Sequence, residues 1–220
     1  MPSLPHPDSR NALEADCRRC PALVESRNRI AWGQGGRDAD LVVVGEAPGA
    51  GDPGADEWRG GNHTGMAYTT RHSGRRVREL AADLGFPDAY FTNAVKCHPH
   101  GNRDPTREER EACGTHLATE LESVAPDAVL ATGRHATESL LSLAGDALDG
   151  FVSTVGDCVR DGRPLDWAGV PTDDGGRVRP ALVPALHPSY EGVWLSRLDL
   201  AREAYVAGLR DALGSGRRQD

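Results

Sequence analysis

The sequence predicts an α/β fold, a three-layer α/β/α arrangement with a central parallel sheet, and three observations predict it. Asp40 to Val44 is an apolar run that ends in the turn sequence Gly45-Glu46-Ala47-Pro48-Gly49, the mark of a strand buried on both faces. Further strand-like segments recur at Ala89–Val95, Ala128–Ala131 and Ala181–Leu186. Between the strand-like segments lie stretches with helical spacing of apolar residues, and such alternation implies a parallel sheet covered on both sides.

Taken in order, Gly51 to Gly65 is polar and glycine-rich and is expected to be a loop. Ser73 is expected to cap a helix with Val77, Leu80, Ala81 and Leu84 on one face, ended by Gly85. Ala89–Val95 forms the second strand. Thr106 and Glu109 make a capping box at the start of a helix carrying Cys113, Leu117 and Leu121. Pro126 precedes the third strand, Ala128–Ala131, and Gly133 leads into a helix through Leu143. Phe151 to Pro180 reads as irregular, with Asp173-Asp174-Gly175-Gly176 at a hairpin tip or surface loop. Ala181–Leu186 is a strand broken by Pro184, and Glu191 to Leu213 reads as one long closing helix.

The 220 residues are expected to form a single domain, residues 1–220, with a core from about 17 to 213 and polar tails at 1–10 and 214–220. Neither a signal-like segment nor a run of the roughly 20 apolar residues needed to span a bilayer is present. A cytoplasmic, soluble protein is therefore expected, with no membrane partner. The net charge is −8, and Lys96 is the single lysine among mostly arginine cations. Net acidity normally argues against nucleic-acid binding. At very high salt, however, long-range attraction to phosphate is screened and counterion release contributes little, so charge alone excludes neither class.

Four of the five cysteines form two distant pairs, Cys17-x2-Cys20 and Cys97-x15-Cys113. In a chain without a secretory segment such a pattern points to a metal or redox centre rather than a disulfide framework. The spacing departs from the paired knuckles of structural zinc sites, and on the residues alone zinc and iron–sulfur remain open. Cys158 stands outside the pattern and reads as a small buried apolar residue. His98 and His100 follow Cys97, but four thiols already complete a site.

In open parallel sheets ligands bind beyond the carboxyl ends of the strands. Glu46 follows the first strand, Asn93 closes the second and His187 follows the last, in Leu186-His187-Pro188-Ser189-Tyr190. Each has an ordinary explanation: a turn cap, a turn-forming amide, a structural histidine. Three on one edge lead us to expect a pocket there. Arg71, Arg75, Arg76 and Arg78 read as a solvated helix face, with Arg75 and Arg76 near enough to the helix start to meet phosphate.

Together, Gly45-Glu46-Ala47-Pro48-Gly49, Thr92-Asn93-Ala94-Val95-Lys96-Cys97, Asn102-Arg103-x-Pro105, the four cysteines and His187-Pro188-Ser189 resemble the iron–sulfur uracil-DNA glycosylases of the family 4 type. The resemblance runs from about Cys17 to Tyr190. It implies a uracil-DNA glycosylase-like fold and hydrolytic, monofunctional removal of uracil from DNA to start base-excision repair. It implies a 4Fe-4S cluster on Cys17, Cys20, Cys97 and Cys113. It also implies catalytic roles for Glu46, Asn93 and His187: the Glu46–Pro48 turn positions water against the base, Asn93 bonds the uracil edge, and His187 supports charge on the leaving pyrimidine. Ala47 and Pro48 would touch the substrate, Asp52 matches an acidic position after the first motif, and Asn102 matches a motif asparagine. Uracil-containing DNA would be the partner, and a monomer suffices to enclose one flipped nucleotide.

Two stretches depart from that pattern. Where the family has Gly-Arg-Pro-Phe, this chain has Gly65-Met66-Ala67-Tyr68, placing a tyrosine where a phenylalanine stacks on the base. Asn62-His63-Thr64-Gly65 and Ser73-Gly74 look more like the sister family 5, whose members accept a broader set of damaged bases. Two readings from other classes stand beside the enzyme. One is a non-catalytic nucleic-acid-binding module with a structural four-cysteine metal site. The other is an electron-carrying iron–sulfur protein, which gives no reason for Glu46, Asn93 and His187 to share an edge.

Overall fold

The computed structural model describes residues 10–54 and 59–215. A short helix α1 (Pro21–Ser26) precedes β1 (Leu41–Gly45), α2 (Arg71–Asp83), β2 (Tyr90–Asn93) and α3 (Arg107–Val124). There follow β3 (Ala128–Thr132), α4 (Arg134–Ala144), α5 (Phe151–Asp161) and a small hairpin of β4 (Val170–Pro171) and β5 (Arg177–Val178). The chain closes with β6 (Ala181–Ala185), α6 (Glu191–Leu198) and α7 (Arg202–Gly214). The main sheet has the order β2-β1-β3-β6, parallel throughout. The three-layer parallel-sheet fold read from the sequence is the fold observed.

Strand periodicity assigns the layers, because alternate side chains leave opposite faces. Leu41, Val43, Phe91, Leu130 and Val183 pack with Val77 and Leu80 of α2, Val155 and Val159 of α5, and Tyr205 and Leu209 of α7. The other face, with Val42, Val44, Val129 and Leu182, packs against Leu117 and Leu121 of α3 and Leu140 of α4. A third cluster joins Leu23, Ile30, Trp32, Val95, Cys97 and Cys113, beside the end of β2.

Several sequence expectations hold in detail. The capping box of Thr106 and Glu109 is formed in both directions, and β4 and β5 meet around the Thr172–Gly176 turn. Others are corrected. The helix α2 begins at Arg71, with Thr70 as its N-cap and Ser73 inside it. Phe151–Asp161, read as irregular, is a helix; Phe151, Val155 and Val159 repeat at a four-residue spacing on its packed face, and Gly162 ends it at φ 61°. The expected single closing helix is two, because Asp199 adopts a left-handed φ of 52° between them.

Pro184 does not break β6. That strand is last in the sheet, and Leu182 turns its backbone outward, accepting from Leu165 N–H at 2.8 Å. Pro184 has the same parity, so its missing N–H falls on the outer side, where no neighbouring strand needs it. Arg78 is also corrected: it is buried, donates to Ala67 O (2.9 Å) and Gln34 Oε1 (3.2 Å), and lies 4.1 Å over the Phe91 ring. The Arg71 side chain lies outside the described residues, as do most of the two polar tails. Among the described residues no helix is long and apolar enough to cross a membrane.

Candidate active site

The carboxyl edge of the sheet carries a cavity of about 140 Å³ lined by Glu46, Ala47, Pro48, Tyr68, Asn93 and His187, among others. Its floor is shaped by glycine. A Cβ on Gly45 would sit 2.5 Å from Asn93 Oδ1 and 2.7 Å from Tyr68 Oη, too close for either side chain to keep its place. The turn after β1 is pinned from several directions. Ala94 and Val95 N–H donate to Gly45 and Glu46 carbonyls at 2.7 and 2.9 Å, and His98 Nδ1 lies 3.0 Å from Pro48 O. His98 thus holds the loop that walls the cavity.

Asn93 is buried, and among the described residues its Nδ2 has no hydrogen-bond partner. An unmet buried donor costs about 1–3 kcal/mol, so the fold maintains it against a penalty. The Asn93 carbonyl accepts from Lys96 Nζ at 2.5 Å. Lys96 itself is buried in an ion pair with Glu120 at 2.6 Å, both side chains 1% exposed, and also donates to Thr92 Oγ1. The sole lysine of the chain therefore underpins the strand end that presents Asn93.

Tyr68 adopts a left-handed φ of 55° and meets the Phe91 ring edge-on at 5.8 Å. Its hydroxyl lies 2.6 Å from Thr132 Oγ1. Burial holds that phenol above its ordinary titration range. Arg78 steadies the same segment through Ala67 O, and Gly74 lets α2 approach so closely that a Cβ there would collide with Tyr68 O.

At His187, Ser189 N–H donates to Nδ1 at 3.2 Å. With Nδ1 an acceptor, the neutral ring carries its hydrogen on Nε2. Burial lowers the pKa of His187 below the ordinary histidine value, with Glu46 opposing the shift more weakly. The ring is therefore neutral near pH 7 and offers one donor.

Glu46 also borders a second, larger cavity of about 730 Å³, whose wall includes Asp104, His135, His187, Tyr190 and Trp194. Glu46 Oε2 lies 2.7 Å from His135 Nδ1. Glu46, Asp104 and His135 bring their ligand atoms within 4.8 Å of one another, and the Glu46–His135 hydrogen bond joins two of the three. His135 and Thr132 were missed in the sequence. Thr132 ends β3 and His135 lies in the first turn of the α4 that follows, on the same edge that singled out Glu46, Asn93 and His187, and the edge rule applied to that strand and its turn finds them.

Two predicted contacts are not brought to the smaller cavity. Asp52 is exposed, off its wall, with its N–H on Arg59 O at 2.7 Å. Asn102 is also exposed, and its Oδ1 accepts from Ala50 N–H at 3.1 Å, tying it to the loop after β1.

The four paired cysteines converge. Cys17, Cys20, Cys97 and Cys113 line one apolar space of about 20 Å³, and no disulfide is formed. Arg27 Nη1 donates to Cys97 Sγ and Lys96 N–H to Cys113 Sγ, both at 3.3 Å, while His116 Nε2 lies 3.4 Å from Cys17 Sγ. Burial pushes the Cys113 thiol up to about 12 and raises Cys20 and Cys97 as well. Bare thiolates would be costly there without a cation between them. Cys158 is buried on α5, as expected.

Comparison with known proteins agrees with this arrangement. The type-4 uracil-DNA glycosylase of Thermotoga maritima is 34% identical over 176 residues, covering 79% of this chain and 77% of that protein. The type-4 enzyme of Archaeoglobus fulgidus is 36% identical over 129 residues, 58% of this chain and 59% of its own. A type-5 uracil-DNA glycosylase of Pyrobaculum aerophilum is 32% identical over 166 residues, 62% and 70% of the two chains. Similarity to both types matches the mixture of motifs. The sequence profile of the Uracil DNA glycosylase superfamily spans residues 32–210, from the loop before β1 into α7, and the chain belongs to that superfamily.

Proposed function

We propose that this protein hydrolyses the N-glycosidic bond of uracil in DNA, releasing free uracil and leaving an abasic site for base-excision repair. The observation that carries this reading is the unpartnered Asn93 Nδ2, buried in a cavity shared with Glu46, Tyr68 and His187. A pyrimidine carbonyl meets that donor. The amide also has an acceptor oxygen, so it can read a donor and an acceptor on one base edge. At about 140 Å³ the space is well below the roughly 300–1,000 Å³ that suits drug-sized ligands, and it leaves room for one small ring. Type-4 relatives at 34–36% identity support the same activity.

The base must first leave the stack, at a cost of a few kcal/mol. Ala47 and Pro48 then wall it and Tyr68 supplies the aromatic surface. As the C1′–N1 bond breaks, its electron pair moves onto the base, and the His187 Nε2–H donates to the developing anion. The water oxygen bonds to C1′, and its proton passes to the Glu46 carboxylate and on to solvent. Each such preorganised donor is worth about 3–4 kcal/mol.

Cys17, Cys20, Cys97 and Cys113 would hold a 4Fe-4S cluster. The donor set fits: four thiols around one apolar space, with N–H groups directed at two sulfurs. When bound, such a cluster supplies a four-thiolate clasp between the N-terminal segment and the β2–α3 region. We read the chain as one cytoplasmic, monomeric domain, since one flipped nucleotide needs only one enclosing cavity.

A single-turnover assay on single- and double-stranded oligonucleotides carrying uracil tests the reading. Release of uracil with formation of abasic sites supports it. Retardation of the DNA with no base released would instead mark a binding module. Purified protein should be brown; a colourless preparation with stoichiometric zinc contradicts the cluster.

A further inference from the structure

Glu46 has a partner that the reaction scheme above does not use. His135 stands in the first turn of α4, and its Nδ1 is 2.7 Å from Glu46 Oε2. Both are partly buried, with side chains 22% and 35% exposed. Among the described residues Glu46 Oε1 has no protein partner, so one carboxylate oxygen is held and the other remains available. The charged groups facing His135 come from three directions. Glu46 lies on the turn after β1, Asp104 on the loop before α3, and Arg110 on α3. On its own helix Glu138 is engaged by Arg134 at 2.6 Å and by Arg110 at 3.6 Å. The anions left to His135 are Glu46 and Asp104, and His187 lines the same larger cavity and feels the same carboxylate.

We propose that His135 is a positioning residue for base excision, holding Oε2 of Glu46 as an imidazolium so that Oε1 faces the attacking water. This rests on the reading of Glu46 as the acceptor of the water's proton. A charge-assisted hydrogen bond is roughly twice as strong as a neutral one, and a misplaced catalytic group can cost about 100-fold in rate. The two histidines beside Glu46 thus have different duties. His187 is neutral and donates to the base; His135 is cationic and orients the carboxylate.

The pH dependence follows from what each ring touches. The Glu46 bond raises the pKa of His135 above 6.5, with burial opposing it. The cation is therefore fully present below 6.5 and is lost as pH rises through the raised value. Excision should decline on that alkaline side.

The test is single-turnover excision of uracil against pH in wild type, His135→Leu, His135→Gln and Asn93→Ala. His135→Leu is expected to slow the step about 10- to 100-fold, with KM for DNA changed by less than about 3-fold, and to lose the alkaline decline. His135→Gln, which keeps a donor but no charge, should recover part of the rate and remain flat with pH. Independently of activity, the His135 titration followed by NMR should fall toward 6.5 in Glu46→Gln. A wild-type rate and profile in His135→Leu, or an unmoved titration in Glu46→Gln, overturns the proposal. If wild type releases no uracil, the glycosylase reading itself fails, and the titration alone judges the pairing. If wild type cleaves, Asn93→Ala does not, and His135→Leu behaves as wild type, only the role of His135 fails. Should His135→Leu not fold, the glutamine variant and the titration decide.

Discussion

Two polar regions flank the end of β2 and treat their charged and hydrogen-bonding groups in opposite ways. Beneath the strand, Lys96 is consumed by Glu120, Thr92 Oγ1 and Asn93 O, and Glu120 also accepts from Gly33 N–H at 3.0 Å. Above it, the Asn93 amide is buried with an empty donor, and Glu46 commits one oxygen while the other has no protein partner among the described residues. The closed region is a foundation. The open one is held ready for something that is not protein, and its unmet hydrogen bonds tell what that something must offer.

Breaking the foundation should have the largest effect. Lys96→Met leaves Glu120 as an uncompensated buried charge and should lower stability by about 3–5 kcal/mol in chemical denaturation. Adding Glu120→Leu should restore most of the loss, because the pair then disappears together. If Lys96→Met alone is neutral, the ion pair is not the support described here. The open side breaks differently. Asn93→Ala should cut single-turnover excision by about 100- to 1,000-fold while the melting temperature stays level or rises, since an unmet donor is removed. An equal loss of stability would make Asn93 part of the foundation instead. Smallest is Tyr68→Phe. It removes the Thr132 contact but keeps the ring, and should cost about 1 kcal/mol of stability with activity within roughly 3-fold. A larger loss of activity would give the hydroxyl a part in the chemistry.

The sheet and the cavity edge were legible because their signals are local. An unbroken apolar run, a capping box and the carboxyl-edge rule placed β1, α3, Glu46, Asn93 and His187 without any contact being known. Where the reading failed, the deciding physics lay between distant segments. Pro184 looked like a strand breaker until its outer-edge position removed the need for an N–H. Arg78 looked solvated by composition, yet Ala67, Gln34 and Phe91 enclose it. The helix at Phe151–Asp161 is a different case, since its four-residue spacing was present and passed over. Lys96 could also have been noticed, because a lone lysine between an asparagine and a cysteine is an unusual use of charge.

The most direct measurement is a crystal structure of the protein soaked with free uracil. A pyrimidine carbonyl should lie roughly 3 Å from Asn93 Nδ2, with the ring against Tyr68 and a second carbonyl facing His187 Nε2. Uracil bound elsewhere, or an Asn93 amide still without a partner beside a bound base, would contradict the account.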